Sequence, residues 1–123
     1  MESPEAFKTL LKARTSGLPY EVFNVIFMDN RNRLIEIREM FRGSSSSCSV
    51  HPKEIIRACM DIPTCCSVAF HHNHPSNCPT PSASDLRITE VLTKCLKMID
   101  IRVLDHFVSS DGHVESMAER GDL

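Results

Sequence analysis

Apolar residues recur along this chain with two different periods, and the places where one period gives way to the other mark its elements. Ala6, Phe7, Leu10 and Leu11 keep helical spacing ahead of Gly17, and Ser3-Pro4 reads as a cap followed by a first-turn proline. This predicts a helix over about Pro4 to Thr15. Leu18-Pro19 breaks it. Tyr20 to Met28 is aromatic and β-branched, Asp29 to Asn32 has turn chemistry, and Leu34 to Phe41 alternates again, which predicts an antiparallel hairpin. On the second strand Ile35 and Ile37 share one face and Glu36 and Arg38 the other, so Glu36 is expected to be solvated. Pro52 to about Asp61 reads as a helix with Ile55, Ile56, Cys59 and Met60 on one side, and Cys65 to His71 as a strand. Ser82 opens a longer helix to about Ile99, with Ile88, Val91, Leu92, Cys95, Leu96 and Ile99 as its expected buried stripe. Ile101 to Ser109 is a strand, Asp111-Gly112 a two-residue turn and His113 to Met117 its return. Gly43 and the serines at 44 to 47 and 49 form a polar loop or short edge strand to which no function attaches. The order implies an α/β sandwich, a mixed sheet flanked by helices.

Composition narrows the class. A chain of 123 residues with 41% hydrophobic and 24% charged positions is expected to make one globular domain over its whole length. A net charge of -2 offers no basic face for phosphates, so this segment is not expected to bind nucleic acid directly. No apolar run approaches the roughly 20 residues of a membrane span, and the N-terminus lacks a secretory layout. A cytoplasmic protein with no membrane partner is expected. The six cysteines include no C-x2-C pair, so free thiols are expected and a structural zinc knuckle is not. Cys78 alone lies near the chemistry described next, and its thiol is read as a loop thiol with no role ahead of a redox-sensitive or metal-binding one.

That chemistry lies in His72 to Asp85, HNHPSNCPTPSASD, with the spacing H-x-H-x7-S-x2-D. At a strand end, side chains two apart point the same way, so His72 and His74 face one point while His71 and Asn73 face away. Two convergent imidazoles are half a zinc site. Ser82 with an acid three residues on is a helix-start signal, which puts Asp85 in a first turn that can be carried back to the histidines. Pro75, Pro79 and Pro81 stiffen the loop between. Two histidines and one carboxylate leave one position open, as a catalytic zinc requires. The base remains to be found among Glu21, Glu36, Glu39 and Glu54. Glu21 begins a strand on the face of Phe23, Val25 and Phe27, where a carboxylate needs either a reason or a route to solvent. Asp105-His106, on a late strand, is either ordinary strand polarity or a carboxylate that orients a ligand histidine.

H72-x-H74-x7-S82-x2-D85, with Glu21-Val22 upstream, resembles the JAMM motif of the MPN+/JAB metallopeptidases. The longer wording HNHPSxxPTPSxxD, with LDHFVSSDGHVESMAERG near the C-terminus, is similar to the RadC-like branch, bacterial proteins long labelled DNA repair protein RadC. The resemblance runs from about Tyr20 to Leu123. It implies a cytidine-deaminase-like JAB/MPN fold, with His72, His74 and Asp85 as zinc ligands. It also implies Glu21 as acid/base toward a zinc-activated water, and Ser82 as hydroxyl donor to the oxyanion. Asn77-Cys78 stand where the family usually has Gly-Asp, and nothing matches the N-terminal helix-hairpin-helix region of full-length members. Any DNA association is therefore expected outside this segment. The string HHNH does not make an HNH nuclease, whose histidines and asparagine are spread over a ββα unit.

Three function classes follow: a zinc hydrolase cutting a peptide or isopeptide amide, a catalytically silent binding module of the same fold, and a DNA-repair accessory domain. An open coordination site beside a carboxylate favours the first, with a peptide or protein as substrate.

Overall fold

The alternating segments assemble into one five-stranded sheet with helices on both faces. The computed structural model describes residues 4–76 and 78–123. Its elements are α1 (Pro4–Thr15), β1 (Val22–Met28), β2 (Leu34–Arg42), α2 (Pro52–Met60), β3 (Ser67–Asn73), α3 (Ala83–Lys97), β4 (Arg102–Ser110), β5 (His113–Ser116) and α4 (Met117–Arg120). The strand order is β2-β1-β3-β4-β5. The β3–β4 pair is parallel and the other pairs are antiparallel. Parallel neighbours need a long connection, and α3 supplies it.

On one face Phe23, Val25 and Phe27 of β1 and Val68 and Phe70 of β3 pack against Ile55 and Cys59 of α2 and Leu92 and Leu96 of α3. On the other face Ile26, Met28, Ala69 and Phe107 meet Phe7 and Leu11 of α1. Each fully buried aromatic or aliphatic side chain contributes roughly 1.5–3 kcal/mol of transfer free energy. Because β1 and β3 are covered on both faces, every residue of both strands is buried, polar ones included. Among the described residues no buried side-chain nitrogen or oxygen lacks a hydrogen-bond partner. The polar groups on these strands are therefore committed to fixed geometries.

Several expectations are corrected. Val91 is 46% exposed, and Thr89 is buried in the stripe with Leu92 and Leu96. Glu36 faces solvent as expected, with its side chain 40% exposed, and it is ion-paired there. Arg38 Nε and Nη2 donate to its two oxygens at 2.6 and 3.1 Å, and the guanidinium carbon lies 5.4 Å from the centre of the Phe27 ring. The return after the last turn stops at Ser116 and becomes α4, because Ser116 Oγ accepts from Glu119 N–H at 3.1 Å and Asp105 Oδ1 from Ala118 N–H at 3.0 Å. The proposed cap Ser3 and the loop residue Asn77 lie outside the described residues. Among the described residues no helix is long and apolar enough to cross a membrane.

Candidate metal centre

The site gathers where β1, β3 and α3 end or begin on the sheet face that α2 and α3 cover. β3 closes with His72 and Asn73, and His74 follows directly. In the antiparallel β1–β3 ladder Phe23 stands opposite His72, and the same register carried two residues further sets Glu21 opposite His74. Odd residues of β1 and even residues of β3 share this face, so a glutamate 51 positions before His72, in a local string of apolar residues, arrives beside the histidine pair.

The backbone around Glu21 is held from two sides. Asn73 Oδ1 accepts from Val22 N–H at 2.8 Å and its Nδ2 donates to the Tyr20 carbonyl at 2.9 Å, so a side chain continues the ladder beyond the first residue of β1. Across from it, Glu21 N–H donates to the Ser44 carbonyl and Gly43 N–H to the Glu21 carbonyl, both at 2.8 Å. A Cβ on Gly43 would fall 1.9 Å from the Ser47 carbonyl oxygen, so this fold of the serine loop requires glycine. The serine segment, to which the sequence attached no function, is thus the clasp on Glu21. Its residues Ser45 to Ser47 also form one wall of a cleft of about 480 Å³, with Glu21, His74 and Asp85 also lining it and Ser76, Ser82 and Ser84 among the rest. A smaller adjoining hollow of about 190 Å³ is walled by Phe23, Val50 and Ile88 beside His72 and Asp85.

Asp85 is delivered by the start of α3. Ser82 Oγ accepts from Asp85 N–H at 3.1 Å, and Ser82 N–H donates to Asp85 Oδ2 at 2.8 Å, a reciprocal cap. Since its oxygen is the acceptor in that bond, the Ser82 hydroxyl proton stays free to donate. The same carboxylate places Oδ1 3.1 Å from His72 Nε2 and Oδ2 3.1 Å from His74 Nε2, and the two Nε2 atoms are themselves 3.1 Å apart. One ligand atom from each of Glu21, His72 and His74 also falls within 4.8 Å of the others. Glu36, Glu39 and Glu54 take no part and are ion-paired with Arg38, Arg42 and Arg57.

The outer ring nitrogens are occupied as well. His74 Nδ1 lies 2.9 Å from the Cys78 carbonyl, which can only accept, so Nδ1 carries the proton and Nε2 presents its lone pair to the site. Cys78 thus contributes its backbone, not its thiol. His72 Nδ1 lies 2.8 Å from His106 Nε2. His106 was missed as a participant, as were Thr89 and Asn73. Of these, Thr89 left a legible signal: it falls three and seven residues before Leu92 and Leu96, on one helical stripe.

Imidazole nitrogens and carboxylate oxygens at these separations are held together either by shared protons or by a cation standing among them. The donor set fits a divalent metal: nitrogen and oxygen ligands on one side, with an open direction toward the cleft. The charges respond accordingly. Burial by itself would raise the Asp85 carboxyl, but hydrogen bonds to His72 and His74 outweigh it and hold the group well below the usual carboxylate range. The hydrogen bond to Asp85 raises His74. Burial pushes Glu21 upward, against the pull of both histidines.

On the opposite sheet face His71 is fully enclosed, with Asn24 Nδ2 3.1 Å from Nδ1 and Ser109 Oγ 2.9 Å from Nε2. Burial depresses it to about 3, and burial likewise holds His106 well below its ordinary value. A histidine with a depressed folded pKa contributes stability that is complete above its unfolded value near 6.5 and is lost as pH falls through that value. The unfolded chain then takes up protons that the native state refuses. Glu21, raised by burial, and His74, raised by its hydrogen bond to Asp85, work in the other direction, but below about pH 6.5 the unfolded chain protonates His74 as well, so its opposition fades and the two buried imidazoles prevail. Unfolding free energy of metal-free protein is therefore expected to fall between about pH 6.5 and pH 5, by up to ~1.4 kcal/mol per pH unit for each net proton. Urea titrations giving the same free energy at both ends of that range would contradict it.

A mixed α/β sheet that brings two histidines and a carboxylate to one point beside a buried glutamate has the architecture of a JAB-type domain. The sequence matches the model of the RadC-like JAB domain over residues 1–122. It is 44% identical over 123 residues to a UPF0758 protein of Cupriavidus pinatubonensis and 46% identical over 123 residues to one of Herminiimonas arsenicoxydans, covering 100% of this chain and 54% of each relative. A UPF0758 protein of Vibrio cholerae is 42% identical over 123 residues, covering 100% of this chain and 77% of the relative. The chain belongs to the RadC-like JAB domain family. It spans about half the length of most of the curated relatives it matches.

Proposed function

We propose that this domain is a zinc-dependent hydrolase of amide bonds, acting on a peptide or isopeptide linkage in a protein substrate. The observation that carries the reading is the convergence of His72 Nε2, His74 Nε2 and the Asp85 carboxylate at 3.1 Å, with a Glu21 ligand atom within 4.8 Å of those of the two histidines. His72, His74 and Asp85 would hold the metal, since Asp85 touches both imidazoles and is aimed by its own cap. Zinc in such a site lowers the pKa of a bound water and polarises the amide carbonyl.

The chain's own residues supply the rest. Glu21, whose carboxyl is pushed upward by burial, takes the proton of the attacking water on its carboxylate and passes it to the departing amine nitrogen. The free hydroxyl proton of Ser82 donates to the oxygen on which negative charge develops. The cleft between the serine loop and the start of α3 is the path by which a substrate strand reaches these groups. The six free thiols accord with a cytoplasmic setting.

The test is elemental analysis of protein prepared without chelator, followed by incubation with peptide and isopeptide libraries. About one zinc per chain, with cleavage that chelator stops and added zinc restores, is expected. Metal without cleavage would replace the hydrolase by a binding module, and absence of metal would remove the site.

A further inference from the structure

The structure assigns a positioning role to His106 and Thr89: together they set the tautomer of His72, so that its Nε2 lone pair faces the metal site. The assignment rests on reading that site as a metal centre, and it extends to residues that touch neither metal nor substrate. Thr89 Oγ1 donates its one proton to the Asp85 carbonyl at 2.7 Å. The same oxygen lies 2.5 Å from His106 Nδ1 and, its proton spent, must accept there. His106 is therefore the Nδ1–H tautomer. Its ring is fully enclosed between Phe23 and Phe70, with centroids 5.5 and 5.7 Å away, and burial opposes a second proton more strongly than the charge of Asp85 favours one. His106 Nε2 is left as an acceptor, and at 2.8 Å from His72 Nδ1 it takes the proton there.

The alternative arrangement would put the His72 proton on Nε2, toward Asp85, and require His106 to carry its own on Nε2. Thr89 would then have to donate to His106 Nδ1 and release the Asp85 carbonyl. The contacts close into a ring, from the Asp85 backbone through Thr89 and His106 to His72 and back to the Asp85 carboxylate at 3.1 Å. Two of the proposed ligands are thus oriented by one proton order.

An irregularity in β4 makes this possible. Val68 pairs with Val103 and Ala69 with Asp105, so Leu104 is an extra residue in the ladder. Regular alternation would turn Asp105 toward the site. The bulge exchanges it for His106 and sends Asp105 to the far face, where it binds Ser116 Oγ and Ala118 N–H.

The experiment combines long-range ¹H–¹⁵N NMR of the histidine rings with zinc titration. At about pH 8.5, where an ordinary imidazole is neutral, His106 should appear as the Nδ1–H tautomer with and without zinc, and His72 as the Nδ1–H tautomer once zinc occupies the site. His106→Leu should give His72 as a mixture and weaken zinc binding by about 10- to 100-fold, with His106→Gln, which keeps an acceptor, recovering most of the loss. Thr89→Val, which keeps the shape of the side chain, should release His106 from its tautomer even if His106→Leu does not fold. An Nε2–H tautomer at His106 in the wild type, or unchanged tautomers in Thr89→Val, would overturn the assignment. A wild type that binds no zinc would instead refute the metal site, leaving the NMR result to judge the relay on its own.

Discussion

Glu21→Gln is expected to keep its zinc and to lose amide hydrolysis by about 10²- to 10⁴-fold, the range removed with a general acid–base group. The substitution keeps the volume of a side chain that is 8% exposed and leaves the backbone clasp to Gly43 and Ser44 untouched. The lost property is the capacity to accept and return a proton, and an amide has none near neutral pH. The loss should fall on kcat, because a base that acts only on the attacking water adds nothing to binding of the intact substrate. Comparing kcat, KM and zinc content of the two proteins checks each part separately. Equal turnover would take Glu21 out of the mechanism.

Asp85→Ala and His74→Ala are expected to weaken zinc binding by more than about a hundredfold, beyond the 10–100-fold typical of groups that merely support a ligand. For Asp85 the effect has two sources, and they can be separated. Removing the half of the reciprocal cap in which Ser82 N–H donates to Asp85 Oδ2 costs about 1 kcal/mol of stability, which a urea titration reads. Removing the carboxylate leaves two imidazoles at 3.1 Å with no anion between them, which competitive titration against a chromophoric chelator reads. His74→Ala leaves the cap intact and isolates the second effect. Glu21 is also within 4.8 Å of the histidines, so the variants decide between two carboxylates. Full zinc content in Asp85→Ala together with loss in Glu21→Gln would transfer the ligand role to Glu21.

Features that depend on neighbouring residues were legible in the chain. The H-x-H spacing fixes both imidazoles on one side of a strand end because side chains alternate with period two. Ser82 and Asp85 announce a helix start because a cap satisfies the first turn's free N–H groups locally. Both local arguments place their residues where the structure has them. The α/β order and the mixed sheet followed from the same local periods.

What the chain alone did not disclose depends on register and on burial from two sides. Glu36 is solvated as its strand position implied, but the placing of its partner Arg38 over the Phe27 ring, a contact made between two paired strands, was not legible. The serine loop is featureless in composition and acquires its place only by closing on Glu21. Asp105 and His106 show the difference most plainly. Alternation along β4 would put the carboxylate beside the site, and a single extra residue in the ladder with β3 puts the imidazole there instead. The sequence by itself determined which side chains leave each element together, since that is a matter of backbone period. Only the tertiary structure decided which of them meet across elements, because pairing register and bulges are settled by how the whole sheet buries both its faces.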